Sequence, residues 1–377
     1  MSSLSGSLYF RKLLCLRWSV VFIICLIASV GFISLYSAGG GSFSPWLFPQ
    51  LIRFGVGLAL MLCIANVDPK FWWDKAYLIY LGCFLLLILV EVKGAIGMGA
   101  QRWINLGVIQ IQPSELMKPA LVLALSRYFG QVVNHHHKGL FAAIPPLVLI
   151  GLPAILVLRQ PDLGTTLLLC SIGMILFFMA GVRTSLLLAG GVLSLGSIPF
   201  IWHFLREYQQ NRVLTFLNPE RDPLGTGYHI IQSKIALGSG GFFGRGYLKG
   251  TQSHLNFLPE KQTDFIFTMF SEEFGFLGAM ILLGLYALLI FYGFIISFRA
   301  DDLFGRFVAI GITSTLFIYV FVNVAMVTGL VPVVGIPLPF VSYGGSALLT
   351  LLMSFGFLLG IDLHRSKKKW KWKKSLK

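Results

Sequence analysis

Glu115 and Lys118 lie three residues apart in QPSELMKPALV, inside an otherwise apolar stretch. On a helix that spacing puts both side chains on one face, where they can neutralise each other. Such a pair is either a structural ion pair or the lining of a wet cavity, in which the lysine holds a substrate phosphate or tunes a nearby carboxylate. In LPEKQTDFIFTMFSEEFG, residues 258–275, Asp264, Glu272 and Glu273 crowd the mouth of a run that carries no charge from Phe274 to Phe298. Carboxylates in that position cap helices and pair with nearby cations. Partly desolvated, they serve instead as a general base or a cation ligand.

Two further segments carry candidates. Arg102 and Trp103 lie in the glycine-rich stretch KGAIGMGAQRWINLGVIQIQPSE, residues 93–115, between two apolar runs. A tryptophan there is an interfacial anchor or a substrate contact. Arg159, Gln160, Pro161 and Asp162 form a tight turn in which Asp162 can cap the following helix. An arginine beside a helix start also favours an anion. Arg53, within an apolar run, either snorkels to the outer end of its helix or serves a site.

The elements that must position these residues follow from composition. Of 377 residues, 56% are apolar and 12% charged, half the roughly 25% charge of a soluble domain. The chain reads as an all-α polytopic membrane protein. Apolar windows long enough to span a bilayer predict about ten helices, near 18–38, 49–66, 76–92, 113–128, 140–158, 163–180, 184–204, 273–298, 307–328 and 343–363. With the N-terminus inside, eighteen basic residues fall in cytoplasmic segments and three in short exterior loops, so both termini are expected in the cytoplasm. The organisation is then a cytoplasmic segment 1–17, retained rather than cleaved, one transmembrane domain 18–363, and a basic tail 364–377. A large exterior loop, about 205–263, joins the seventh and eighth spans and is expected to lie on the membrane surface.

In this topology segments 93–112, 159–162, 205–272 and 329–342 share the exterior face, and an outward-facing site is expected there. The stretch GLVPVVGIPLPFVSYGGSALL, 329–349, holds Pro332, Pro337, Pro339 and the pair Gly344–Gly345 between two spans. Irregular backbone at membrane depth survives only when buried in protein or lining a wet cavity, so this loop is expected to dip toward the site.

Other chemistries are excluded or weak. The net charge of +15 is concentrated in the tail, which has eight basic residues among its last thirteen and no acid. Such a tail faces anionic lipid rather than nucleic acid. The five cysteines show no CxxC spacing and sit in or beside apolar runs, so neither a disulfide framework nor a thiol metal site is expected. GSGGFFGRGYLKG, 238–250, is glycine-rich but lacks the lysine and hydroxyl ending of a phosphate loop. His135–His137 have no second ligand cluster at zinc spacing.

The segments GAQRWINLG, QPSELMKPALV, QPDLGTTLL, LPEKQTDFIF with SEEFGFLG, and PLPFVSYGGS, with the glycine-rich run, together resemble the SEDS family of shape, elongation, division and sporulation proteins. KGTQSHLNFLPEKQTDFIF is most similar to its rod-shape, elongation branch. The resemblance implies a ten-span peptidoglycan glycosyltransferase of the bacterial cytoplasmic (inner) membrane, polymerising lipid II on the outer face. It also implies a class B penicillin-binding protein and other elongation-complex proteins as partners. Residue by residue, Asp264 matches the family's essential exterior aspartate and Trp103 the tryptophan of its first large exterior loop. Glu115 and Lys118 match the polar pair of the fourth span, and Asp162 the acid of the QPD turn.

The expected chemistry has Asp264 as the base on the acceptor hydroxyl or as the ligand of a divalent cation such as Mg or Mn. Lys118, with Arg102 or Arg159, would stabilise the leaving pyrophosphate, Glu115 would hold Lys118, and Trp103 would stack on a sugar. Glu272 and Glu273 are further substrate-binding candidates. No cofactor is required beyond that cation. The competing class is a lipid II flippase, because buried charges and broken helices also mark transporters.

Overall fold

The computed structural model describes residues 16–97, 100–105, 110–134, 140–182, 196, 199, 202–203, 207–218, 226–254 and 260–375. The predicted span 184–204 and the histidine run 135–137 therefore lie almost wholly or wholly outside the described residues.

Long apolar helices dominate. In chain order they are α1 (Trp18–Ala38), α2 (Leu47–Asn66), α3 (Pro69–Lys93), α4 (Pro113–Asn134), α5 (Ile144–Arg159) and α6 (Leu163–Met179). Then follow three helices of the large loop, α7 (Glu207–Leu217), α8 (Thr226–Ser239) and the single turn α9 (Thr251–His254). The chain closes with α10 (Ile266–Arg299), α11 (Leu303–Val327) and α12 (Gly345–Ser375). Among the described residues seven helices are long and apolar enough to cross a bilayer: α1, α2, α3, α5 with its preceding turn, α10, α11 and α12. The 17-residue α6 is shorter.

Local signals set the boundaries. Pro69 opens α3 and the Asp68 side chain accepts from Lys70 N at 2.9 Å. Asp302 caps α11 through Gly305 N at 3.3 Å. Both are the expected use of a short acid at the first turn.

The bundle is layered. Over their most apolar 18-residue stretches 83% of α12 and 72% of α11 is buried, whereas for α3 it is 22% and the apolar side chains point outward. α4 is central too, with Met117 and Leu121 to Leu125 all enclosed. A helix surrounded by protein needs no lipid-facing skin, which is why α4 tolerates Glu115 and Lys118. α2 lies against α12 closely enough that a Cβ on Gly356 would stand 2.8 Å from the Met61 carbonyl, the close approach that small residues permit between membrane helices.

Two features refine the all-helical expectation. Residues 95–111 fold into a three-stranded antiparallel excursion, β1 (Ala95–Gly97), β2 (Ala100–Asn105) and β3 (Gln110–Ile111). The large loop is not merely a surface layer: α8 packs on α10, with Ile230, Ser233 and Ala236 buried. Ser233 bonds Thr268 Oγ1 and the Val327 carbonyl, both at 2.8 Å.

Candidate active site

Asp264 sits in the turn 260–265 that leads into α10. Three successive carbonyls of this turn are held from the opposite side of the chain. Gln262 O accepts from Tyr343 N at 2.8 Å, Thr263 O from Ser342 Oγ at 2.6 Å, and Asp264 O from Asn323 Nδ2 at 3.0 Å. Ser342 Oγ also receives Leu338 N at 2.7 Å, and Gln50 Nε2 donates to Ser342 O at 3.0 Å. The loop 331–343 is thereby laced to the aspartate turn, as its prolines and glycines led us to expect. Gly335, at φ +73°, lies over the carboxylate: a Cβ there would stand 3.3 Å from Asp264 Oδ2.

The backbone of Asp264 is fixed, yet among the described residues its carboxylate makes no hydrogen bond and no ion pair. Burial pushes its pKa up to about 6, and the neighbouring charges of Glu260 and Asp162 add to the rise while Arg212 opposes it. A carboxylate in that state is ionised over the upper half of the physiological range and is basic enough to accept a proton. Arg212, on α7, donates to Val333 O at 3.2 Å. The sequence offered no signal that separates it from other basic residues of the large loop.

Glu115 and Lys118 form the expected pair, with Lys118 Nζ 2.5 Å from Glu115 Oε1. The structure adds Tyr319 of α11, which receives a hydrogen bond from Lys118 and donates to Glu115 Oε2 at 3.0 Å. This closed triangle is buried and borders a small cavity lined also by Thr315, Thr350 and Ser354. Lys118 is thus already neutralised within the core. Tyr319 and Asn323 were not singled out from sequence. Their signal is there in retrospect, since two polar residues four apart share one face of an apolar helix.

The QPD turn is built from the same end of the bundle. Asp162 accepts from Thr165 N at 3.1 Å and Thr165 Oγ1 at 2.9 Å, so it caps α6. Its Oδ2 also receives Gln112 Nε2 at 3.3 Å. Arg102 donates to the Gln160 carbonyl at 3.0 Å and to that of Pro161, so it holds the turn. Trp103 is half-buried and pairs with Ala95 in the strand excursion. Arg159 is exposed at the end of α5. Arg53 lies with its guanidinium 5.0 Å from the centre of the Tyr343 ring, which in turn meets Trp46 edge-on. It is therefore a neighbour of the loop that holds Asp264.

Glu272 and Glu273 are placed elsewhere. Glu272 Oε1 accepts from Gln252 N at 2.9 Å and Thr251 Oγ1 at 3.3 Å, capping α9. Glu273 Oε1 accepts from Ser37 of α1. Both lie inside α10, beside its break at Gly275 (φ +68°, ψ −167°). The glycine-rich run repairs that break: Phe276 N and Leu277 N donate to Gly241 O and Phe242 O, and Arg245 N and Gly246 N donate to Glu272 O and Glu273 O. The contact is backbone against backbone, since a Cβ on Gly244 would stand 2.1 Å from Glu273 O.

Among the described residues no three His, Cys, Asp or Glu side chains converge on one point. Both Asp162 oxygens are engaged, and Glu260 Oε2 accepts from Thr263 at 3.1 Å and Gln262 at 3.3 Å. Among the described residues the Asp264 carboxylate makes no hydrogen bond, a donor that suits a divalent cation held mainly by substrate phosphates.

Over 317 residues the chain is 47% identical to a protein named peptidoglycan glycosyltransferase MrdB of Escherichia coli (strain K12), covering 83% of this chain and 84% of that one. A solved chain described under structural coordination of polymerization and crosslinking by a peptidoglycan synthase complex superposes with a TM-score of 0.81 at 34% identity, covering 93% and 98%. The crystal structure of Thermus thermophilus rod shape determining protein RodA gives 0.69 at 29% identity, covering 93% and 97%. Residues 10–367 match the family described as cell cycle protein, FtsW/RodA/SpoVE. This multi-pass membrane protein belongs to that family, which is the SEDS family.

Proposed function

We propose that the chain is a peptidoglycan glycosyltransferase of cell elongation, and that Asp264 is the base of its reaction. Its likeness to MrdB over most of both chains supports the activity. The observation that carries the site is the Asp264 carboxylate, fixed by its backbone, without a hydrogen-bond partner among the described residues, and raised to about 6.

The chemistry is a single displacement. The acceptor sugar hydroxyl gives its proton to Asp264 as its oxygen bonds to the anomeric carbon of the donor. The bond from that carbon to the diphosphate breaks, the electron pair leaves with the diphosphate, and the centre inverts. Diphosphate leaves without protonation, so one base is sufficient. A divalent cation would neutralise the leaving charge, with Asp264 the residue able to share it. Arg212 is the cation whose field reaches Asp264, and it takes the diphosphate-facing role that sequence reading gave to Lys118. The buried Lys118, Glu115 and Tyr319 triangle instead holds α4 to α11.

Lipid II is the substrate, the site end of the bundle faces the exterior of the cytoplasmic membrane, and a class B penicillin-binding protein cross-links the product. The solved relative from a synthase complex supports that partnership. The test is polymerisation of labelled lipid II by the purified protein, with and without such a partner. Strands are expected from the wild type and none from Asp264→Ala. Lipid II movement across proteoliposomes without strands would favour a flippase.

A further inference from the structure

Asn323 is fully buried, at 0% exposure, on the well-packed face of α11. A carboxamide there is costly unless its hydrogens are used. Both are used, and on two different non-helical segments: Nδ2 donates to Asp264 O at 3.0 Å and to Ile336 O at 2.7 Å. Ile336 follows Gly335, whose Cβ position lies 3.3 Å from Asp264 Oδ2. One side chain thus fixes the aspartate turn and the loop that covers its carboxylate relative to each other. The other amide atom, Oδ1, is buried with no hydrogen-bond partner among the described residues. Packing alone would favour an apolar residue at this position, so the retained polar group has a use.

We infer that Asn323 is the positioning residue of Asp264, setting the direction and enclosure of its carboxylate through the two carbonyls it bridges. The inference rests on the assignment of Asp264 as the reacting group. Asn323 itself touches no reacting atom. The charged groups facing Asp264 are Glu260 on its own turn, Arg212 on α7 and Asp162 at the start of α6, and none of them contacts the Asn323 amide.

The test uses the full-length protein with Asn323→Ala and, as a variant that keeps one donor, Asn323→Ser. Two readouts are taken: kcat and KM for lipid II, and the pH midpoint of carbodiimide labelling at Asp264, mapped by mass spectrometry. A misplaced group of this kind costs ~10²-fold in rate. The loss should fall on kcat with KM retained, the labelling midpoint of Asn323→Ala should drop as water reaches the carboxylate, and Asn323→Ser should lie between it and the wild type. If the alanine variant does not fold, the serine variant is read alone. Wild-type kcat with a wild-type midpoint, or a lost rate with an unmoved midpoint, overturns the inference. An Asp264→Ala protein that still polymerises sinks the role of Asp264 and leaves the midpoint result to judge Asn323 separately.

Discussion

At the residue scale, a carboxylate whose backbone is pinned and whose oxygens are free can be tuned by single charges around it. Glu260 raises the Asp264 pKa and Arg212 lowers it. Glu260→Gln should therefore move the acid limb of the pH–rate profile for polymerisation to lower pH, and Arg212→Gln should move it to higher pH, from a wild-type limb near pH 6. Matching profiles in all three proteins would remove the electrostatic account. The Lys118 and Glu115 pair makes a different prediction. Losing one member of a buried pair strands the other, at about 3–5 kcal/mol, whereas replacing both is close to neutral. Lys118→Met should thus lower the melting temperature in detergent, and Glu115→Gln with Lys118→Met should restore most of it. The acids and the lysine were legible in the sequence because charge stands out in apolar runs. Asn323 and Tyr319 were not, because neutral polar residues recur in membrane helices and only their partners reveal their use.

At the scale of elements, the glycine-rich run 238–250 has a packing role that its composition does not announce. It holds no phosphate-loop ending, and its glycines serve instead to bring one backbone onto another at the Gly275 break. Such a broken helix leaves donors and acceptors that must be met inside the protein. Gly244→Ala combines a positive φ of 85° with a collision against Glu273 O, so it should destabilise the protein by about 1–3 kcal/mol. Gly238→Ala, which lies within α8 and meets nothing within 4 Å, should leave the melting temperature unchanged or raise it slightly. The helices themselves were readable, with α1 matching its predicted bounds and α3 and α10 starting seven residues before theirs. Those early starts lie where Lys70, Asp74 and Lys75 in one case, and Thr268, Ser271 and Glu272 in the other, interrupt the apolar windows. Glu272 and Glu273, expected at the mouth of the run, lie inside α10 and bond α9 and Ser37.

At the scale of the whole molecule, the candidate site gathers at one end of the bundle and two ion pairs at the other. Arg17 reaches Asp362 at 2.9 Å and Arg365 reaches Asp301 at 3.8 Å, far in the fold from the turn of Asp264. The account places the first end outside the cell. With the native cysteines replaced, Arg159→Cys should react with an impermeant maleimide on intact cells, and Asp301→Cys only after permeabilisation. The reverse pattern would invert the topology. The inside–outside polarity expected from lysine and arginine is what that labelling tests, while the lacing of loop 331–343 over Asp264 depends on contacts far apart in sequence and emerges only from the fold. The most direct test of the account is glycan-strand formation from lipid II by folded wild type and Asp264→Asn, which keeps shape and removes the basic oxygen. The account predicts strands from the wild type and none from the variant; substantial polymerisation by Asp264→Asn would contradict it.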